Sequence, residues 1–239
     1  VPRTEYAGLR FYDNRPARVA ESRVLSDGTE IELTAVAYAY EQSPLMERVV
    51  KTVTAAGSSQ EQTSVEETYG EAAAYPYAAG QMKFTRDIAG VETSYDYEAA
   101  AEHGAAHKKT VITKAGGGLV AGQSRKTESF IAANGTVLFE QESIWDGENW
   151  LLLSNGAHEY DEEGRRTKTT RGNGRVSATS WMCCGKLSET DEDGVLTSYG
   201  YNSAHQLVET IRSEISDGDT VITPETITTY TRDASGRAL

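Results

Sequence analysis

One eleven-residue pattern occurs twice in the chain, and it constrains the fold more than any other feature. Residues 87–97 and 191–201 both read Asp-x-x-Gly-Val-x-Thr-Ser-Tyr-x-Tyr, with seven identical positions at a constant offset of 104 residues. Asp and Gly at this spacing are typical of a tight turn, and the alternating Val, Thr and Tyr that follow share one face of a strand. The duplication therefore predicts a repeat protein whose unit reads turn, strand, aromatic, turn.

Looser copies of the turn follow in the last third of the chain. Three of them have an aromatic residue or arginine, then turn residues, then glycine and a cation. The copy at residues 201–207 keeps the tyrosine and an Asx residue but has His205 where glycine is expected. The spacing is 21 and then 20 residues, and the step of 31 to the last copy fits one unit plus an insertion of about ten residues. The predicted repeat positions are Asp87, Gly90, Tyr95, Tyr97, Tyr160, Asp161, Gly164, Arg165, Trp181, Gly185, Asp191, Gly194, Tyr199, Tyr201, Asp233, Gly236 and Arg237.

These positions predict an all-β fold, a ribbon of consecutive antiparallel β-hairpins. A single hairpin is marginal alone, so each must cover the tyrosine-bearing face of its neighbour. Burying one tyrosine ring stabilises by about 1.5–3 kcal/mol when its hydroxyl finds a partner. Glycines 164, 185, 194 and 236 are expected to supply the turn backbone, because glycine accepts positive φ without steric cost.

The repeat positions resemble the YD repeats of RHS-family proteins, approximately Asp-x-x-Gly-x-x-Thr-x-Tyr-x-Tyr-Asp-x-x-Gly-Arg-Leu. The match covers residues 156–239 and 84–97. In that family the repeats form hairpins that wind into a ribbon, which in many members closes into a shell around a toxin. The resemblance implies a β-solenoid or partial shell, a non-catalytic structural role in a shell or surface stalk, and a secreted or cell-surface location in bacteria.

The predicted domain organisation follows from which residues match the YD-repeat pattern most closely. Residues 1–155 are expected to hold diverged hairpin repeats with loop insertions, and residues 156–239 the better-matching YD-like repeats. The two are predicted to form one continuous repeat array. Because the chain begins at Val1 within patterned sequence and stops at Leu239 just after a turn, it is also predicted to be cut from a longer protein.

Several shorter patterns predict local structure. Turns are expected at Asp27-Gly28 and Asn134-Gly135, and the alternation over residues 33–40 places Val, Tyr and Tyr on one face of a strand. A helix is possible before Pro76 but not after it, because proline disrupts helix interiors. The alanine-rich residues 98–106 predict one or two helical turns.

Composition excludes some partners. The formal net charge is −13 and no basic patch stands out, which argues against phosphate-tracking nucleic-acid binding and docking on an anionic membrane. No stretch approaches the roughly 18 apolar residues that span a bilayer.

No residue set predicts catalysis, a cofactor or a metal. The adjacent Cys183 and Cys184 are read either as small turn residues or as a vicinal disulfide, and a zinc site would need a second ligand pair. His103 and His107 would share a helical face, but Gly104 stands where the zinc-protease motif needs glutamate.

A second function remains open. Tyrosine-lined strands also suit an extracellular module that binds glycan or a protein partner. A structural arc instead has neighbouring repeats, and in a shell an encapsulated polypeptide, as partners. Such an arc is expected to bury its tyrosines between hairpins, whereas a binding module leaves aromatics exposed in a groove. An arc is also expected either to self-associate through unpaired edges or to carry a capping segment in residues 1–30.

Overall fold

The computed structural model describes residues 2–7, 15–55, 61–183, 185–217, 220–231 and 237, with the backbone alone for residues 2–7 and 217. The chain divides into two compact units: unit 1 holds residues 1–129 and 142–153, and unit 2 holds residues 130–141 and 154–239. Repeat positions Asp233 and Gly236, and Cys184, lie outside the described residues.

Unit 1 is built from antiparallel strands that pair in sequence order, from β1 with β2 through to β7 with β8. The longest hairpin joins β3 and β4, whose register runs from Thr34 opposite Ala55 to Ser43 opposite Met46. Its strands are β1 (Pro2–Ala7), β2 (Arg18–Val24), β3 (Glu30–Ser43), β4 (Met46–Ala55), β5 (Glu61–Tyr69), β6 (Met82–Arg86), β7 (Glu92–Ala99) and β8 (His107–Lys114).

Unit 2 repeats the same arrangement. Strands β11 to β16 pair antiparallel in sequence order, and β16 then pairs with β19, while β17 and β18 form a separate small hairpin between them. The strands are β12 (Arg166–Arg171), β13 (Val176–Met182), β14 (Gly185–Thr190), β15 (Leu196–Tyr201), β16 (Leu207–Arg212), β17 (Ile215–Asp217), β18 (Thr220–Thr223) and β19 (Thr226–Thr229). Strands β9 (Arg125–Ile131), β10 (Val137–Trp145) and β11 (Trp150–Tyr160) contribute residues to both units.

The predicted all-β class, made of consecutive antiparallel hairpins, is confirmed. In β3 the half-buried Val36, Tyr38 and Tyr40 alternate with the exposed Ala37 and Ala39, as the sequence pattern predicts. No helix within the described ranges is both long and apolar enough to cross a membrane.

The prediction that no helix follows Pro76 was wrong. A 3-10 turn begins at Pro76 and ends at Ala78, because proline at a first helical position loses no hydrogen bond. Residues 98–106 form one 3-10 turn, Glu102–Gly104, within the one or two helical turns expected, and His103 interrupts it at a φ of 56°. A third 3-10 turn covers Ala115–Gly117.

The sheet of unit 2 has an unusual distribution of polarity. On the face we call the recessed face, His158 and Thr169 are buried and Ser177 is half-buried. Valine and alanine at positions 176 and 178 lie on the opposite face and are exposed. The better-covered side of this sheet is therefore the polar one, the reverse of an ordinary one-sided sheet.

Candidate functional site

The two matching windows fold into the same turn. The backbone N–H of Asp87 donates to the Val91 carbonyl at 3.1 Å, and that of Asp191 donates to the Val195 carbonyl at 3.1 Å. In both, the valine N–H also donates to the aspartate Oδ1 at 2.9 Å. The glycine at the fourth position has a φ of 81° in the first window and 85° in the second. This is a type I turn closed by a bulge at a left-handed glycine.

The same five-residue turn recurs at the looser copies. Asp161 accepts N–H bonds from Glu163 and Arg165 at 3.1 and 2.8 Å, and Gly164 has a φ of 77°. Asn202 makes the equivalent turn, in which His205 adopts a φ of 61° at the glycine position. The turn is thus kept even where its glycine is lost.

A second version places the capping side chain at the third position of the turn. Asp27, Asn134 and Asn173 each accept the N–H of the residue two places on, at 2.9, 3.1 and 3.0 Å. These turns do not contain the sequence pattern Asp-x-x-Gly. Their sequence signal is an Asp or Asn whose side chain accepts the N–H of the residue two places later.

Three aromatic side chains in unit 2 bond to the neighbouring strand in the same way. The Tyr160 hydroxyl donates to the Val137 carbonyl at 2.7 Å. The Trp181 Nε1–H donates to the Arg166 carbonyl at 2.8 Å. The Tyr201 hydroxyl donates to the carbonyl of Lys186 at 2.9 Å.

We call Tyr160, Trp181 and Tyr201 the aromatic row. Each accepting carbonyl belongs to the first or second residue of a strand that follows a turn, so every member ties its own strand to the start of the preceding one. Each member also lies at a register shift, between residues 159 and 160, 180 and 181, and 200 and 201. A bulge at this point directs the ring onto the neighbouring strand.

Arg165 connects a turn to the aromatic row. Its Nε bonds to Asp161 Oδ2 at 2.8 Å, and its Nη1 donates to the Met182 carbonyl at 3.1 Å. The guanidinium carbon lies 5.7 Å from the centre of the Trp181 ring, within range of a cation–π interaction. The cation of the repeat therefore holds the next turn as well as its own.

Gly185 is needed for a second reason besides the predicted turn. It ends the turn between β13 and β14 at a φ of 159°, opposite Met182. An added Cβ would also lie 2.5 Å from the Tyr201 hydroxyl and 3.1 Å from Cζ. The glycine therefore also leaves room for the tyrosine ring of the next repeat.

In unit 1 the corresponding tyrosine has different surroundings. Tyr97 is 6% exposed and meets the rings of Tyr69 and Tyr77 edge-on, with centroids 5.9 and 6.1 Å apart. Burial raises the pKa of Tyr97 to about 12. Tyr95, two residues earlier, has the Lys109 ammonium 5.5 Å from its ring centre.

In unit 2 it is Tyr199, the first tyrosine of the window, that interacts with a charged side chain. Burial, together with a hydrogen bond to the Glu189 carboxylate, raises the pKa of Tyr199 to about 12. Hydrogen bonds from Lys186 and Tyr199 lower the pKa of Glu189. These three side chains form one network across β14 and β15.

The recessed face also holds a buried histidine. The His158 side chain is 1% exposed, and its Nδ1 lies 3.0 Å from Thr169 Oγ1, its register partner. Burial and the nearby Arg166 lower the pKa of His158 despite Glu140, whose Oε1 is 3.4 Å from Nε2. The imidazole is therefore held neutral.

The remaining sequence candidates are not brought together. Cys183 is exposed at a turn. His107 lies in β8 and stacks on Tyr77 with centroids 3.7 Å apart, while His103 sits in a separate turn. Arg237 is exposed. Among the described residues no cluster of His, Cys, Asp or Glu could hold a metal.

Comparisons with known proteins found resemblance at the level of structure. No family model matches the chain, and no curated protein matches it. Similar solved structures include TcdB2-TccC3 without its hypervariable C-terminal region, at 14% identity and a TM-score of 0.45, covering 94% of this chain and 13% of that one. TcdB2-TccC3-Cdc42 has 12% identity and a TM-score of 0.28, with 95% and 15% coverage. The chain spans a small fraction of the length of these proteins.

Proposed function

We propose that the chain is a non-catalytic structural arc of an RHS/YD-repeat protein, forming part of an encapsulating shell or a surface stalk. The aromatic row is the observation that carries this proposal. Tyr160, Trp181 and Tyr201 each fix one strand to the one before it through the same bond. Because the same contact recurs between successive strands, it can be repeated along a ribbon of any length, as the wall of a shell or stalk requires.

The environment of the tyrosines supports the same reading. Every tyrosine whose side chain is described is buried or half-buried, and Tyr97 is the most deeply buried. A module that binds partners through tyrosine-lined strands would present such rings in the open. In this chain the tyrosine rings pack between neighbouring strands, as the stacking of repeats requires.

Partners and location follow from the proposal. The arc takes neighbouring repeats on each side and, in a shell, an enclosed polypeptide, and it acts outside the cytoplasm or on the surface of a bacterium. An arc taken out of a longer ribbon is expected to associate through strand edges when it is purified alone. Light scattering across a concentration series checks this, with mass rising with concentration as the expected result.

The role in a wall is tested on the natural full-length protein that carries this chain. We expect electron microscopy to show a hollow or elongated β particle, and limited proteolysis to leave any enclosed polypeptide intact. The double variant Tyr160→Phe, Tyr201→Phe should make that polypeptide more sensitive to protease. Tyr77→Phe is the matched control, because among the described contacts its hydroxyl makes no hydrogen bond. A solid globular particle with no repeat density would contradict the proposal.

A further inference from the structure

The buried imidazole of His158 takes no part in the contacts of the aromatic row. It lies in β11 with its side chain 1% exposed, and within the described part of the chain its Nε2 is buried without a hydrogen-bond partner. The other ring nitrogen, Nδ1, lies 3.0 Å from the hydroxyl of Thr169 in β12. Histidine is the side chain that ordinarily changes its charge near neutral pH, so this ring can respond to mild acid.

The charged groups around His158 act in opposite directions. From β10, Oε1 of Glu140 lies 3.4 Å from Nε2, beyond the usual hydrogen-bond distance of roughly 2.7–3.2 Å. From β12, the guanidinium groups of Arg166 and Arg171 disfavour a further positive charge on the ring. The Glu140 side chain is 45% exposed, and solvent therefore weakens its attraction to an imidazolium.

Burial decides the balance between these charges. A protonated ring would give up its hydration for one half-exposed carboxylate and one hydroxyl, and burial is the leading cause that lowers the pKa of His158. The neutral ring costs less, because Nδ1 and the Thr169 hydroxyl can share a single proton in their hydrogen bond. In acid, the unfolded segment therefore takes up a proton before the folded sheet does.

His158 lies at a junction of three strands. It pairs with Thr169 in the register of β11 and β12, two residues before the bulge at Tyr160. Tyr160 is the member of the aromatic row that bonds to the carbonyl of Val137 in β10. Strands β10, β11 and β12 thus meet at the imidazole through Glu140, His158 and Thr169. A change of charge at this point acts on all three strands.

We propose that His158 is an acid-sensitive latch of unit 2, which holds β10, β11 and β12 together at neutral pH and loosens them in mild acid. The latch concerns the response of the sheet to pH and goes beyond the proposed structural role.

The direction of the effect follows from linkage. Above the ordinary histidine pKa of about 6.5 the ring is neutral in the folded and the unfolded chain, and its contribution to stability is fully present. As the pH falls below about 6.5, the unfolded chain is protonated first, and stability is lost down to the lowered pKa of folded His158. Free carboxyl groups titrate near pH 4, at about 3.9 to 4.3, so the range from about pH 7 to 5 reports mainly on histidine.

Hydrogen exchange of the purified chain, followed by amide NMR at about pH 7.5 and about pH 5.5, tests the latch. After correction for the intrinsic pH dependence of exchange, protection of residues 156–160 and 166–171 should fall several-fold, with a limit of about tenfold per pH unit for one proton. Protection of β15 and β16 in the same sample should change far less. His158→Gln should abolish the difference, because glutamine keeps polar groups but takes up no proton in this range.

His103→Gln is the matched control. It removes a histidine from an exposed turn of unit 1 and should leave the pH dependence of β11 and β12 as it is in the unchanged chain. In a histidine NMR titration, Arg166→Gln should raise the pKa of His158 and Glu140→Gln should lower it, since the two neighbours act oppositely on the ring. Both variants keep His158, so the titration is decisive even if His158→Gln does not fold.

Three results would overturn the proposal. Protection of residues 156–160 could stay level or rise on acidification of the unchanged chain. His158→Gln could fold and keep the full pH dependence. The Arg166→Gln and Glu140→Gln variants could shift the His158 titration in the same direction. Electron microscopy of the full-length particle at neutral pH is independent of all three, so the structural role is judged separately.

Discussion

The windows at residues 87–97 and 191–201 share one sequence pattern and one turn geometry, but their tyrosines make different contacts. In unit 1, Tyr97 is buried among other rings. At the same position in unit 2, Tyr201 reaches over Gly185 to the Lys186 carbonyl. The repeat sequence therefore specifies the turn and the strand, whereas the residues of the neighbouring strand determine which contacts the tyrosine ring and hydroxyl make.

The tyrosine with a strongly raised pKa also changes place between the windows. It is the second of the pair in unit 1, Tyr97, and the first in unit 2, Tyr199. In both cases burial is the leading cause, but only Tyr199 also bonds to a carboxylate. Equivalent positions therefore do not have equivalent electrostatics.

The largest expected effect is on stability, and it depends on how tightly the tyrosine is packed in each window. Tyr97→Ala should lower the free energy of unfolding by about 3–5 kcal/mol, because it empties a buried ring site. Tyr201→Ala should cost less, since Tyr201 is only half-buried. Urea unfolding of both variants measures the difference. Equal losses would mean that the two windows are packed alike.

Gly185 provides a test that applies to unit 2 alone. Gly185→Ala should cost about 1–3 kcal/mol, because the methyl group overlaps the Tyr201 phenol. In a Tyr201→Ala background the same change should cost much less, and a double-mutant cycle measures this coupling. An undiminished cost in that background would remove close approach as the explanation.

Removing only the hydroxyls should reverse the order of the two tyrosines. Tyr201→Phe should cost about 1 kcal/mol, the usual net contribution of one hydrogen bond. Tyr97→Phe should cost less, because no hydrogen bond from its hydroxyl is present among the described contacts. Chemical unfolding curves of the two variants, measured side by side, give the comparison.

The turn copies differ at the glycine position, and this predicts a gain in stability. His205→Gly should stabilise by about 1 kcal/mol, because a non-glycine residue at positive φ is strained. Gly194→Ala, at the same position of the matching turn, should destabilise. Thermal unfolding midpoints moving in the same direction for both variants would contradict the shared turn geometry.

The alkaline pH dependence concerns Tyr97 and Tyr199 together. Their folded pKa values are raised to about 12 from an unfolded value of about 10, so the unfolded state loses its protons first. Stability from these groups is fully present below pH about 10 and is lost as the pH rises towards 12. Phenolate absorbance should show Tyr97 and Tyr199 among the late-titrating tyrosines, and Tyr97→Phe and Tyr199→Phe should each reduce the late-titrating fraction.

Sequence reasoning succeeded where structure is decided within a few residues. Asp87 and Asp191 specify their turns through bonds that close inside five positions. It could not find contacts that a residue of another strand decides, such as Gly185 beneath Tyr201 and His158 beside Thr169. Those contacts depend on the register, which bulges shift at the end of each strand.

The small hairpin of β17 and β18 has a consequence for how such a chain changes over time. Strand β16 pairs directly with β19, with Glu209 opposite Thr229, although the segment between them leaves the sheet and returns. New sequence inserted at a turn can thus be accommodated without disturbing the pairing on either side. The connections between hairpins are where such a chain can acquire new parts, and its length and surface decoration can evolve independently of the bonds that hold the strands in order.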